Sequence, residues 1–222
     1  MNIFDILGPI MVGPSSSHTA GAVRIGYITR LLLGSPVMEA EIGLHGSFAA
    51  TGRGHGTDRA LIAGLLGMYP DDMRISRSFE EAEKEHLKFS FQNIQISGAH
   101  PNTALLKVQG INGKDLCVQA SSLGGGRIML NKLDGIEVNC ACENPTLIVW
   151  NKDKPGYVAE VTTLLTRYSV NIATLNLHRD KKGGSAVMII ESDQSIPEEV
   201  IKQLKSVDGI SKVIYLMSRE EI

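Results

Sequence analysis

Three histidines in this chain sit among glycines and small hydroxyl residues, in the segments GPSSSHT (13–19), GRGHGTD (52–58) and GAHPNT (98–103). Imidazole exchanges a proton near neutral pH without help from its surroundings, so His18, His55 and His100 are candidate general bases or acids. Serine and threonine are helix N-cap residues, and the first turn of a helix presents unpaired N–H groups and the positive end of its dipole. A carboxylate or phosphate fits there. Ser16, Ser17 and Thr19 beside His18 therefore join anion donors to a proton-transfer group. The glycines of 52–56 allow close backbone approach, Thr57-Asp58 reads as a helix start, and Pro101 biases His100 toward extended backbone ahead of Asn102 and Thr103. Taken singly, each segment could be a capped helix with an exposed histidine. Three of them together point to a site.

The elements around these segments read as α/β. The spacing predicts helices over 20–33 and 57–66, and a short strand over 39–44. Residues 87–96 alternate with a slip at Asn93, the pattern of a bulged strand. Runs 104–109 and 115–120 flank Ile111-Asn112-Gly113-Lys114, and Asn-Gly between alternating runs is a strong hairpin signal. Cys142-Glu143-Asn144-Pro145 then breaks the pattern, which places one domain at 1–142 and another at 146–222. Beyond the break come a strand at 146–150 and a turn at Asp153-Lys154-Pro155-Gly156. A helix follows with Val158, Val161, Leu164, Leu165 and Tyr168 on one face. Strands at 172–177 and 185–190 flank the Lys181 to Gly184 turn, then a helix has Pro197 in its first turn, and a strand closes at 213–217. Strand-helix-strand-strand-helix-strand is the ferredoxin-like βαββαβ order of an α+β domain.

Composition excludes several classes of function. The 222 residues carry 22 basic and 24 acidic side chains, with no basic footprint for nucleic acid. No apolar run approaches the ~20 residues that span a bilayer, and the amino end lacks a secretory pattern. The expectation is a cytoplasmic chain with reduced thiols. Cys117, Cys140 and Cys142 make no disulfide framework. Cys140-Ala141-Cys142 puts two sulfurs on one strand face, as buried or edge thiols or as the start of a metal site, but no histidine stands at zinc-finger spacing and no metal site is assigned. His45 and His86 have no supporting pattern, His178 reads as an exposed strand terminus, and the charges over 80–88 read as a solvated helix face.

On Gly13-Pro14-Ser15-Ser16-Ser17-His18-Thr19, Gly54-His55-Gly56-Thr57-Asp58 and Ser121-Ser122-Leu123-Gly124-Gly125-Gly126-Arg127, the chain resembles the β subunit of the two-subunit, iron–sulfur-dependent L-serine dehydratases. Its tail from Asp153-Lys154-Pro155-Gly156 onward is similar to ACT domains, which bind small molecules, usually amino acids. The first domain is also similar to a substrate-binding regulatory domain of some phosphoglycerate dehydrogenases. The resemblance implies conversion of L-serine to pyruvate and ammonia by loss of the α-proton and the β-hydroxyl. It also implies a [4Fe-4S] cluster whose iron holds the departing hydroxide. Three cysteines without clustered spacing are too few for such a cluster, so it falls mainly to a partner α subunit. By the same resemblance His18 and His55 are the candidate catalytic bases, Ser16, Ser17 and Thr19 hold the substrate carboxylate, and His100 and Asn102 neighbour the pocket. Arg127 either approaches the carboxylate or belongs to a flexible connection. Asp153 and Gly156 are the candidate effector contacts, and a homodimer through either domain is expected. A purely regulatory subunit that senses a carboxylate is the competing reading. An independent hydrolase with Ser16 or Ser17 as nucleophile is disfavoured, because adjacent residues rarely give nucleophile and base the required geometry.

Overall fold

The computed structural model describes residues 10–217, and the chain forms two compact units that divide between Asp134 and Gly135. In the first unit, α1 (Gly21–Leu33) follows a π-helical turn over Ser16–Ala20. Its Ala22, Val23, Ile25, Ile28 and Leu32 are buried, a stripe at helical spacing. Next come β1 (Val37–His45), α2 (Ser47–His55), α3 (Thr57–Leu65), a 3-10 turn over Met73–Arg77, and α4 (Ser78–Lys84). The strands β2 (Lys88–Ile94), β3 (Thr103–Gly110), β4 (Asp115–Gly124) and β5 (Arg127–Leu133) complete the unit. They run in the order β2-β1-β3-β4-β5. Alternate residues Ala40, Ile42, Leu106, Val108, Val118, Ala120, Ile128 and Leu130 are buried, the period-2 signature of a sheet face packed on a core.

The contact between α1 and α3 sets the geometry of the unit. Gly26 of α1 faces the Leu61 carbonyl of α3, and Gly64 of α3 faces the Val23 carbonyl of α1, so closely that a methyl group on either would overlap backbone. Because α1 begins just after the histidine of the first segment and α3 just after the histidine of the second, this approach fixes how far apart those two segments stand.

Two sequence expectations are corrected here. The sequence reading starts a helix only at Thr57, whereas Gly52 and Gly54 already lie inside α2, which ends at His55. Glycine weakens an isolated helix by roughly 1 kcal/mol, but Gly52 is buried against Thr57, and packing overrides propensity. Nor is β2 bulged at Asn93. It runs parallel to β1 in unbroken register from Glu39↔Lys88 to His45↔Ile94. As an edge strand it is partly exposed on both faces, and that blurs the alternation. The Asn-Gly hairpin joins β3 and β4 with Gln109 opposite Asp115. β4 extends past the expected residue 120 to Gly124, which pairs with Arg127 across a turn of glycines.

The second unit holds β6 (Ile136–Cys140), β7 (Thr146–Lys152), α5 (Tyr157–Arg167), β8 (Ile172–Arg179), β9 (Ser185–Ser192), α6 (Glu198–Lys205) and β10 (Ile210–Leu216). From β7 onward this is the expected βαββαβ order, with antiparallel strands arranged β10-β7-β9-β8. Leu147, Val149, Met188, Ile190 and Val213 of the sheet pack on Val161, Leu164 and Leu165 of α5 and Val200 and Leu204 of α6. Burying each such side chain is worth roughly 1.5–3 kcal/mol. Among the described residues, no helix is long and apolar enough to cross a membrane.

Candidate active site

Ser15 starts the first motif as an N-cap in extended backbone, its hydroxyl accepting from the His18 N–H at 3.1 Å. The wider π turn that follows, with the Gly21 N–H donating to the Ser16 carbonyl, swings the His18 ring out of the helix line and against α2. There His18 Nε2 lies 3.1 Å from Ser47 Oγ and 3.2 Å from Thr51 Oγ1, while Nδ1 lies 3.1 Å from Ser17 Oγ. The ring meets Phe48 edge-on at 5.3 Å and the His55 ring at 4.9 Å. His55 Nδ1 donates to the Thr51 carbonyl at 3.0 Å, which leaves its other nitrogen free of that bond. Thr19 is buried and its hydroxyl donates to the His55 carbonyl at 3.2 Å. The two candidate bases are thus held together from both chain segments.

Burial holds the His18 pKa below the usual histidine value, and the neighbouring His55 lowers it further. A histidine kept neutral at physiological pH is ready to accept a proton.

Hydrogen bonds tie the segments that carry the other expected residues to the elements that hold this pair. The Gly125 N–H donates to Ser16 Oγ at 3.3 Å, and Arg24 Nη1 donates to the Gly126 carbonyl at 3.3 Å. The glycine turn between β4 and β5 therefore closes over the serine motif. The Pro101 carbonyl accepts from the Ser47 N–H at 2.7 Å, and the Asn102 carbonyl accepts from the Ser122 N–H at 2.9 Å. This ties the third histidine segment to the start of α2 and the end of β4. His100 itself is exposed, with Nδ1 accepting from the Asn102 N–H at 3.1 Å, a bond that braces its own turn. Arg127 is exposed at the first position of β5.

Ser47, Phe48 and Thr51 had no place in the sequence reading. Ser47, Thr51 and His55 stand at i, i+4 and i+8, one face of a helix. That stripe was readable in principle, but Gly52 and Gly54 hid the helix that makes it a stripe.

The donor set of this chain does not fit an iron–sulfur cluster. Cys140 and Cys142 are buried with their sulfurs 3.4 Å apart, Cys117 stands elsewhere on β4, and no group of three potential metal ligands occurs among the described residues. In the second unit, Asp153 accepts from the Gly183 N–H at 2.8 Å and from Arg179 Nη1 at 2.9 Å. Those two partners, the N–H foremost, hold its pKa below the usual carboxylate value. Gly156 caps α5 at φ +106°. His178 is half-buried, not an exposed terminus, and its Nε2 is buried without a hydrogen-bond partner.

Comparison with known proteins gives the family of the chain. Residues 2–94 match the family model described as serine dehydratase beta chain, and residues 145–209 match the ACT domain model. The probable L-serine dehydratase beta chain of Bacillus subtilis is 38% identical over 96% of this chain and 96% of its own length. The chain belongs to the L-serine dehydratase β-chain family. The L-serine dehydratase beta chain of Peptoniphilus asaccharolyticus is 36% identical, again over 96% of both chains. A D-3-phosphoglycerate dehydrogenase of Methanocaldococcus jannaschii is 36% identical over 40% of this chain and 18% of its own length.

Proposed function

We propose that this β chain completes the active site of an L-serine ammonia-lyase, converting L-serine to pyruvate and ammonia together with a cluster-bearing α subunit. The observation that carries the reading is the His18 ring, kept neutral by burial, set against the tilted ring of His55 and flanked by Ser17, Ser47 and Thr51. In this reading His18 removes the α-proton, and the adjacent His55 ring helps to order it. Ser16 and Ser17 present donors for the carboxylate at the start of the π turn, Thr19, whose hydroxyl proton goes to the His55 carbonyl, braces that turn, and His100, Asn102 and Arg127 border the pocket. Because the thiols of this chain do not fit a [4Fe-4S] cluster, the cluster is assigned to the α subunit, and the chain alone is inactive. Asp153 and Gly156 belong to an effector site of the ACT unit. The edge strand β8 supports pairing with a second copy.

The test is anaerobic turnover of L-serine by the β chain, by the α subunit and by their mixture. Activity in the mixture alone, abolished by His18→Ala, is the expected result. Full activity of the α subunit by itself would overturn the reading.

The match to a phosphoglycerate dehydrogenase favours one alternative, a regulatory subunit that senses a carboxylate while the partner performs all chemistry. Under that reading His18→Ala weakens the ligand response and spares the saturated rate.

A further inference from the structure

We infer that Thr51 and Ser47 are positioning residues that lock His18 in the Nε2–H tautomer, so that Nδ1, on the Ser17 side, is the nitrogen that accepts the proton. The inference rests on the proposed catalytic role for its consequence, but its geometry stands independently.

The argument counts donors. Thr51 Oγ1 lies 3.0 Å from the Ser47 carbonyl, which can only accept, so the Thr51 proton points there. A hydroxyl has one proton and two lone pairs. Toward His18 Nε2, at 3.2 Å, Thr51 therefore offers a lone pair. Two lone pairs facing each other repel, so Nε2 must carry the proton. Ser47 Oγ, 3.1 Å from the same nitrogen and 3.4 Å from Thr51 Oγ1, shares that N–H or turns its own proton to Thr51.

The opposite side of the ring agrees. With Nε2 protonated in the neutral ring, Nδ1 is an acceptor, and Ser17 Oγ donates to it at 3.1 Å. Ser17 then accepts from Ser15 Oγ at 3.3 Å, whose own lone pair takes the His18 N–H at 3.1 Å. Every hydroxyl from Ser15 through His18 to the Ser47 carbonyl donates in one direction, and reversing the ring tautomer breaks the run at Thr51. The base therefore acts at Nδ1, either through the Ser17 hydroxyl or after substrate displaces it.

The full β chain, labelled with nitrogen-15 in its histidine rings, reports the tautomer directly by long-range proton–nitrogen correlation above pH 7. The His18 signals are assigned by their loss in His18→Gln. The wild type is expected to show Nε2–H. Thr51→Val, which keeps the shape and removes the acceptor, is expected to lower the Nε2–H to Nδ1–H ratio by about fivefold, the weight of one neutral hydrogen bond. Thr51→Ser is expected to restore it. An Nδ1–H wild type, or a ratio indifferent to Thr51→Val in a protein whose amide spectrum is otherwise native, overturns the inference. Because no partner or substrate is present, this outcome is separate from that of the turnover test: loss of the catalytic reading leaves the tautomer result untouched.

Discussion

Gly64→Ala opposes two well-known effects at one position, and the structure decides the sign. Gly64 lies in the eighth position of the nine-residue α3, where helix propensity alone favours alanine by about 1 kcal/mol. The added methyl, however, would collide with the Val23 carbonyl, the Tyr27 nitrogen and Gly26 of α1. All three are backbone atoms in the middle of a helix, so none can rotate aside. Relief requires α1 and α3 to part by about 1 Å, and a gap of that size forfeits a quarter to a half of each contact's dispersion energy. The side chains at stake include Ala22, Val23, Leu61 and Leu65, all fully buried. Overpacking of this kind costs about 1–3 kcal/mol, and backbone collision belongs at the top of that range. After subtraction of the propensity gain, the expected loss is about 2 kcal/mol, which moves a urea midpoint down by ~1 M at a slope of ~2 kcal/mol per molar. Since the α1–α3 distance also sets His18 against His55, turnover of the reconstituted enzyme should fall as well. A midpoint that is unchanged or raised would falsify the view that this glycine pair sets the helix separation.

Other consequences follow from the same geometry. His18→Ala in the αβ complex should lower kcat by about 10²–10⁴, the weight of a general base, in a steady-state assay; a loss confined to KM would assign His18 to binding. Because burial and His55 lower the His18 pKa, the unfolded chain binds its proton first as pH falls, so the folded state loses stability below about 6.5 and is indifferent to this group above it. Urea titrations of wild type and His18→Gln should differ in slope only on the acid side. Asp153→Asn should speed amide hydrogen exchange at Gly183 and leave the strands of the ACT sheet protected, since the carboxylate accepts that N–H and Arg179 together. Equal exchange at Gly183 in both proteins would show that the turn holds without it.

Much of the chain was legible because local rules and packing agree in it. The ACT unit reads straight from the sequence: each helix shows its apolar stripe, and all but one of the connections from β7 to β10 carry Gly or Pro. The first unit resisted at α2, where two glycines argue locally for a loop and burial of Gly52 beside Thr57 argues for a helix. It resisted again at β2, whose edge position dilutes the alternation that marks a buried strand.

The sequence by itself determined which chemistries were available: neutral-range proton transfer at histidine, hydroxyl and backbone donors for an anion, and too few thiols for a cluster. Those are properties of residue types, and they do not depend on where the chain goes. Only the tertiary structure decided which groups meet. His18 and His55 are brought to 4.9 Å because two glycines let α1 and α3 approach, and Thr51 and Ser47 enter the site because α2 is a helix. Distances between segments tens of residues apart follow from how closely backbones can pack, and no local pattern carries that information.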